Sequence, residues 1–520
     1  MSANDSNYLE IYAYAGAQSY VAGETAKLHV TTTAETFDYT VWRDGPEREV
    51  VAEMTGVDGV FTETPLDAYE NGCGWPVLAE IPVDPSWRSG VYIVELRAKR
   101  GDETQVCEAG FVVRGPKKSK IVFMLTTGTW TAYNCWGGAN SYLGIHGEDG
   151  VGPGTHLSLD RPFERGFWVA PANYPYLSTK PEQMRYKHER HYTGQPTNGY
   201  AIMMGYGWGA NSAGWAVDNR PFAVWAEENG YEMEYIDQYD LENVPGVLDG
   251  YDCMVIAGHD EYWSWGQRDT LDAFVEQGGK LARFGANMLW QVRMERDGRQ
   301  QVCYKLGLDN DPVKGDPEKG HLLATLWDHK DVGRPMAQSF SVNGMQGIYA
   351  TYDGGSPRSS GGFTVYRPGH WVFDDTGLVY GDTFGMEEGI VGYETDAVDY
   401  VIEYGLPRPS DVNFPLEGTE ILAVTPSMVD QYDAGGPGSA VVSMVLGDDF
   451  FATKWADMVE GKTDEDTVKK YRYGSAQIVT APKGNGEIFC AGTVYWFLGL
   501  KWRDRTTEQI THNVLKRFTS

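Results

Sequence analysis

The chain has 520 residues, of which 42% are hydrophobic and 22% charged, and a formal net charge of −30 at pH 7. A chain of this length can bury two substantial cores without disulfides or structural metals, and its composition is that of an ordinary globular protein. No apolar stretch is long enough to cross a bilayer, and an acidic surface repels polyanions. Neither a membrane nor nucleic acid is therefore an expected partner.

The opening segment and the cysteines indicate the compartment. Residues 1–8 have neither a basic stretch nor an apolar one, which predicts a cytoplasmic location. The cysteines form no C-x-x-C pair, so neither a zinc knuckle nor a disulfide framework is expected. They should be reduced, partly buried thiols, at Cys73, Cys107, Cys135, Cys253, Cys303 and Cys490.

The first part of the chain reads as a β-sandwich. Short runs of alternating apolar and polar residues, separated by glycine and proline, predict strands at residues 26–31, 38–42 and 90–98. Several short strands without helical periodicity favour an immunoglobulin-like β-sandwich. We assign it to residues 1–115, where it ends at a basic, turn-prone linker.

The periodicity changes after the linker. Residues 120–125 form a nearly continuous apolar run, which is typical of a strand inside a parallel sheet. This alternation of strands and helices favours an α/β fold over residues 116–520, with a doubly wound, mostly parallel sheet of the amidotransferase-like kind. The predicted helices are 221–229, 270–276 and 507–518, and the predicted strands are 231–236, 251–257, 280–284 and 487–491.

Residues 307–447 interrupt this alternation. The segment is rich in glycine and aspartate and shows no regular period. A long irregular stretch inside a compact domain predicts an inserted irregular or β region, rather than a third independent domain.

Polar side chains gather where the predicted strands end, which is where open α/β sheets bind their ligands. The richest of these segments contains His259, Asp260, Glu261 and Tyr262. It could supply a general base, a metal ligand or both. The structural alternative is that Asp260 caps the next helix and His259 bonds to a backbone carbonyl.

Other candidate groups are weaker. No G-x-S-x-G motif is present, and Cys135 is the thiol nearest to the strand ends, although a packed small residue is the commoner role for such a cysteine. His188 and His191 lack the H-E-x-x-H spacing of a zinc helix and predict a surface feature. The 17 tryptophans and 32 tyrosines could line a sugar-binding surface or fill the core.

Several short motifs lie at or near these strand ends, at residues 131–134 with 136–138, 141–142 followed by 149–150, 259–262, 285–287 and 392–396. Together they resemble the large (β) subunit of N,N-dimethylformamidase and the proteins that share its carboxyl-terminal domain. The resemblance covers about residues 120–520; each motif alone is weak evidence for it, but the set is strong.

This resemblance implies a mononuclear ferric ion held by two tyrosines and one glutamate, which fall here on Tyr133, Tyr142 and Glu261. Phenolate and carboxylate oxygens are hard ligands that suit Fe³⁺, and three protein ligands leave positions open for water and substrate. By the same matching, His259 is a base beside the ion. The other two matched residues are Asn287, a polar contact in the pocket, and Glu394, a second acid/base or substrate-orienting carboxylate.

The resemblance therefore implies an iron-dependent hydrolase of small amides or formamides. In this hypothesis the ion polarises the carbonyl and activates a water, His259 acts as general base, and Glu394 assists departure of the amine. A small partner subunit and a homo-oligomer are further expectations. Two alternatives stay open here: a carbohydrate-binding or scaffold protein with a non-catalytic α/β domain, and a cysteine-dependent amidotransferase relative that uses Cys135.

Overall fold

A computed structural model describes most of the chain. The described residues are 8–144, 153–170, 206–207, 209, 213–347, 362–392, 394–410, 412, 414–428 and 450–520. No helix within these ranges combines the length and the apolar character that crossing a bilayer requires.

The strands of the described residues are numbered in chain order. They are β1 Ile11–Ala15, β2 Ser19–Tyr20, β3 Thr25–Thr32, β4 Thr36–Asp44, β5 Glu49–Asp58, β6 Val77–Pro82, β7 Gly90–Arg100, β8 Glu103–Val113, β9 Ile121–Leu125, β10 His156–Ser158, β11 Met233–Asp237, β12 Cys253–His259, β13 Tyr262–Ser264, β14 Lys280–Ala286, β15 Trp290–Glu295, β16 Gln300–Val302, β17 Phe363–Val365, β18 Thr383–Phe384, β19 Tyr400–Glu403, β20 Leu406–Pro409, β21 Glu420–Met428, β22 Tyr473–Lys483 and β23 Gly486–Cys490.

The α-helices of the described residues are fewer than the strands, and a π-helical turn at Trp215–Asn219 leads into the third of them. They are α1 Ala68–Asn71, α2 Thr127–Tyr133, α3 Arg220–Glu228, α4 Asp240–Asn243, α5 Trp265–Glu276, α6 Ala337–Phe340, α7 Phe450–Glu460, α8 Glu465–Lys469, α9 Trp496–Lys501 and α10 Arg505–Phe518. Single 3₁₀ turns lie at Leu308–Asn310, Gly320–Leu322, Gly344–Gln346 and Trp371–Phe373.

The chain divides into two compact units. The first consists of the described parts of Met1–Ala172, Asn198–Val247 and Met294–Val302. The second includes Leu248–Arg293 and the described parts of Cys303–Ser520.

Two sheets of the first unit are built from its first 113 residues. One is three-stranded, in the order β1-β3-β6, and the other five-stranded, in the order β2-β8-β7-β4-β5. Alternate residues of the strands point inward, so Leu28 and Val30 of β3 share one hydrophobic core with Val94 and Leu96 of β7. This shared core explains why the alternating runs of this region form strands.

The same unit contains a parallel pair of strands, β9 and β11, in which Ile121 lies opposite Met233. Every residue of both strands is buried, as the continuous apolar run predicted. Helix α2 begins two residues after β9 ends, and α3 has Pro221 in its first turn, where proline is well tolerated.

The second unit is built around a mixed sheet. Strands β12, β14 and β23 are parallel neighbours, and β22, β21, β17 and β18 continue the sheet in antiparallel pairs. Part of the segment 307–447, predicted as an inserted irregular or β region, thus adds antiparallel strands to this sheet. At the carboxyl ends of β12 and β14, a Cβ on Gly285 would lie 2.4 Å from the Gly258 carbonyl oxygen, so only glycine allows this close approach.

Helix α5 directly follows strand β13. Ser264 caps it through a reciprocal capping box, in which its hydroxyl accepts from Gln267 N at 3.1 Å and its amide donates to Gln267 Oε1 at 3.0 Å. Asp260 therefore does not cap this helix, and the structural alternative that made it the cap is wrong.

Asp237, at the end of β11, generates a prediction about stability. Its Oδ1 accepts from Tyr239 N at 2.9 Å, while Oδ2 has no hydrogen-bond partner among the described residues. Burial, together with the nearby Asp240 charge, raises the pKa of Asp237 from 3.8 to about 8. Between these values the unfolded chain loses this proton and the folded protein keeps it, so stability falls as pH rises.

Asp237→Asn should therefore stabilise the protein, because asparagine imitates the protonated acid. The gain in the free energy of unfolding should be larger at pH 8 than at pH 6, by about 1–2 kcal/mol, as measured by urea denaturation. Asp249→Asn is the matched control, since Asp249 is exposed. An equal gain at both pH values would contradict the raised pKa.

Candidate active site

Two of the predicted metal ligands, Tyr133 and Tyr142, lie together in the first unit. Tyr133 is the last residue of α2 and is buried, while Tyr142 is half-buried in the loop that follows. The Tyr142 hydroxyl donates to that of Tyr133 at 3.0 Å, and the ring centroids are 4.7 Å apart. The turn of chain between them thus brings two phenol oxygens into contact.

Cys135 lies in the same loop, but its chemistry differs from that of a nucleophile. Its Sγ accepts from Asn140 Nδ2 at 2.9 Å, and its backbone amide donates to Glu164. Burial and the adjacent Glu164 charge raise the pKa of the thiol well above its ordinary value. The reactive thiolate is therefore disfavoured, which weighs against a cysteine-dependent amidotransferase.

Two further predicted site residues, His259 and Glu261, lie in the second unit, at and just after the end of β12. His259 is fully buried at the end of β12, and Glu261 follows just before β13. Glu261 Oε1 accepts from Trp290 Nε1 at 2.7 Å, and its carbonyl oxygen accepts from the Leu289 and Trp290 amides. These bonds fix the carboxylate, whose Oε2 lies 3.4 Å from His259 Nε2.

Asn287 and Glu394 converge on the same imidazole. Asn287 Nδ2 lies 3.2 Å from His259 Nε2, and Glu394 Oε2 lies 2.8 Å from it. The backbone of Asn287 has a φ of 67°, a left-handed conformation that asparagine tolerates better than most residues. The predicted catalytic residues His259, Asn287 and Glu394 therefore form one cluster with Glu261.

The last strand end holds Glu394 in place. Gly392 and Glu394 bond to the chain at residues 494–495, since Val494 N donates to the Glu394 carbonyl at 3.1 Å and Tyr495 N to that of Gly392 at 3.0 Å. Glu394 Oε2 is buried and accepts no hydrogen bond of good geometry from the described residues. A buried carboxylate oxygen in this state is suited to accept a hydrogen bond from a bound ligand.

An ion triad lies behind this cluster. The fully buried guanidinium of Arg283 donates to both carboxylate oxygens of Asp260, at 2.7 and 2.6 Å, and to Asp396 at 2.5 Å. Asp396 Oδ1 in turn accepts from Asn287 N at 2.8 Å. Burial raises the pKa of Asp260 to about 6, although the Arg283 charge opposes this shift.

Lys305 is a member of the cluster that the sequence reasoning missed. Its amine lies 5.3 Å from the centre of the Trp290 ring and 5.5 Å from that of Tyr262. Desolvation lowers the pKa of Lys305 to about 8, against the opposing effect of the Glu261 and Glu394 charges. The available signal was a lysine directly after the short apolar run Val302-Cys303-Tyr304, which is a weak one.

The donor atoms can be tested against the predicted metal. Two oxygen ligands at neighbouring corners of an octahedron, with bonds of roughly 2 Å, lie roughly 3 Å apart. The Tyr133 and Tyr142 oxygens have this spacing. Within the described ranges no three His, Cys, Asp or Glu side chains are arranged to hold a metal ion. The spacing of the two phenol oxygens fits neighbouring ligand positions on a ferric ion.

Three sequence features lie outside the described residues. They are the pair His188 and His191, the motif part at 149–150, and Tyr393.

Comparison with protein families identifies the group to which this chain is related. A family described as N,N-dimethylformamidase beta subunit-like, C-terminal, matches residues 34–511. The chain belongs to this family. The predicted resemblance is thus confirmed, and the match is wider than residues 120–520, because it begins within the sheets of the first unit.

Individual dimethylformamidase-like relatives are distant. The N,N-dimethylformamidase beta subunit of Paracoccus aminophilus is 23% identical over 322 residues, which cover 56% of this chain and 35% of that protein. The chain therefore spans 35% of the length of this curated relative. A family 123 glycoside hydrolase of Clostridium perfringens shares 11% identity over 24% of this chain and 32% of that one, with a TM-score of 0.09, too low to carry any argument.

The environment of Cys135 generates a prediction about reactivity. In the folded protein at pH 8, iodoacetamide should alkylate Cys135 at least about tenfold more slowly than a free thiol, because only the thiolate reacts. Peptide mass spectrometry after timed quenching measures this rate. All six cysteines should react in urea, which controls for the reagent. Rapid labelling of Cys135 in the folded protein would restore the nucleophile hypothesis.

Proposed function

We infer that this chain hydrolyses the C–N bond of a small amide or formamide. Family membership supports the reaction class, and the contact of 2.8 Å between His259 Nε2 and Glu394 Oε2 is the observation that carries it. A histidine held between carboxylates is a common general acid and base. Water and the amide would be converted into a carboxylic acid and an amine.

His259 is proposed to take the proton of the attacking water. Its Nε2 is the ring atom that faces the cluster, with Glu394 at 2.8 Å and Glu261 at 3.4 Å. A proton accepted at Nε2 would lie between two negative charges, which stabilise the imidazolium. Asn287 Nδ2, 3.2 Å from the same atom, is positioned to limit how the ring turns.

Glu394 is proposed to complete the proton transfer, and Lys305 to supply a positive charge beside it. Glu394 Oε2, which lies 2.8 Å from His259 Nε2, can receive the water's proton from the imidazolium and pass it to the departing amine nitrogen. Lys305 places a positive charge near Glu261 and Glu394, and so limits the repulsion between the two carboxylates.

The proposed metal is one ferric ion, with Tyr133, Tyr142 and Glu261 as its ligands. Support comes from the hydroxyl spacing of 3.0 Å and from the hardness of phenolate and carboxylate oxygens. When bound, the ion supplies Lewis acidity to an amide carbonyl.

An assembly with a second kind of subunit is also proposed. The Paracoccus aminophilus relative is named as the beta subunit of its enzyme, which supports a partner for this chain. A homo-oligomer of this chain is proposed as well, and mass photometry of the protein alone measures its size.

The ligand set predicts the metal content. Wild-type protein should carry about one iron per chain and show a tyrosinate-to-iron absorption band, whereas Glu261→Ala and Tyr133→Phe should lose most of the iron. Elemental analysis and visible spectroscopy measure both. Tyr92→Phe is the matched control, because Tyr92 is a buried tyrosine in the hydrophobic core of the first unit that donates to the Arg88 carbonyl. Full amide hydrolysis by iron-free protein would contradict the proposed metal.

The proton-transfer residues predict a different pattern. His259→Gln and Glu394→Gln should each lower kcat for a small N-methylated formamide about 100-fold, because each removes a proton carrier, while the iron content stays unchanged. Turnover is followed as release of amine across a panel of amides. His512→Gln, on the half-buried face of α10, should keep full activity. Unchanged kcat in both cluster variants would refute their assignment.

A further inference from the structure

A side chain that belongs to neither tyrosine bonds to the main chain of both. Asn140 is fully buried in the loop between Tyr133 and Tyr142. Its Nδ2 donates to the Tyr133 carbonyl oxygen at 2.8 Å, and its Oδ1 accepts from the Tyr142 amide at 2.8 Å. One planar amide therefore bonds to the main chain of both tyrosines.

The remaining capacity of this amide is also used within the loop. Nδ2 donates to Cys135 Sγ at 2.9 Å, and Oδ1 accepts from the Leu143 amide at 2.6 Å. Two donors and two acceptor positions are thus all engaged, which is the full inventory of an asparagine side chain. Its position and orientation are consequently fixed.

The rest of the loop is held by a separate group. The guanidinium of Arg161, itself buried, donates to the carbonyl oxygens of Thr131, Trp136 and Ala139. These bonds hold the outside of the loop and reach the main chain of neither tyrosine. Of these two buried side chains, Asn140 alone links Tyr133 directly to Tyr142.

We propose that Asn140 is a positioning residue that sets the Tyr133–Tyr142 hydroxyl spacing for the bound ferric ion. This inference rests on the proposed iron site, which the two phenol oxygens would join. Loss of the amide would let the two ends of the loop separate, so that the phenol oxygens no longer reach one ion together. Loss of the amide should therefore lower the iron affinity and change the geometry of the tyrosinates more than it lowers the free energy of unfolding.

The variants are Asn140→Asp, which keeps the shape but removes the donor to Tyr133, and Asn140→Ala, which removes both links. Asn134→Ala is the matched control. Asn134 is equally buried in the same loop and bonds to Pro162, Trp136 and Glu164, but to neither tyrosine. The melting temperature of the iron-free proteins shows whether the structural cost is comparable.

Titration with Fe³⁺ is the first readout. Both Asn140 variants should bind iron at least about tenfold more weakly and show a shifted or weakened tyrosinate band, whereas Asn134→Ala should keep the wild-type band. Wild-type affinity and band in both Asn140 variants would overturn the inference. So would an equal loss in the Asn134 control.

A second readout needs no iron. In protein labelled with fluorotyrosine, Tyr142→Phe should shift the ¹⁹F resonance of Tyr133, because the two hydroxyls touch, and this shift should shrink in Asn140→Ala. An unchanged shift in that background would contradict the role of Asn140. If wild-type protein takes up no iron, the proposed metal fails, but this measurement still decides the inference.

Discussion

The second unit depends on a buried ion triad. Removing charges from water costs several kcal/mol for each ion. The guanidinium of Arg283 offsets this cost because its Nε and Nη2 both bind Asp260 and its Nη1 binds Asp396. The three side chains are fully buried. Since Asp260 stands between His259 and Glu261, and Asp396 binds Asn287 N, the triad joins the strand ends that carry the cluster.

In the first unit, neutral asparagine side chains hold the loop around the tyrosine pair together with the buried Arg161 guanidinium. The loop around the tyrosine pair has few regular hydrogen bonds, yet its buried backbone groups need partners. Asn134 and Asn140 supply them, each accepting from two backbone amides and donating to a backbone carbonyl. The two asparagine amides bond to the main chain without adding a charge of their own, whereas the Arg283 triad must keep its geometry because an unpaired buried charge is costly.

Much of the local structure could be predicted from the sequence. Periodicity located β9, β14 and β23 and the helices α3 and α10 to within a few residues, because buried strands and amphipathic helices impose their own spacing. His259 and Glu261 were found because they follow a strand directly. Lys305 and Asn140 were missed, because hydrophobic periodicity does not reveal the side-chain contacts on which their roles depend. Arg283 was a signal that the sequence analysis did not use. A charged residue inside a predicted buried strand requires oppositely charged partners. The doubly wound class and the division near residue 115 stay predictions.

The net charge of the chain also bears on the proposed reaction. An amide is neutral, whereas its hydrolysis yields a carboxylate anion and an ammonium cation. A chain with a formal charge of −30 repels the anion and attracts the cation, over a distance of about 8 Å at physiological ionic strength. Neutral substrate would thus enter without an electrostatic barrier, while the acid product would be driven outward. The acidic composition, which first excluded nucleic acid, is therefore compatible with the hydrolysis of a neutral amide and favours the departure of its acid product.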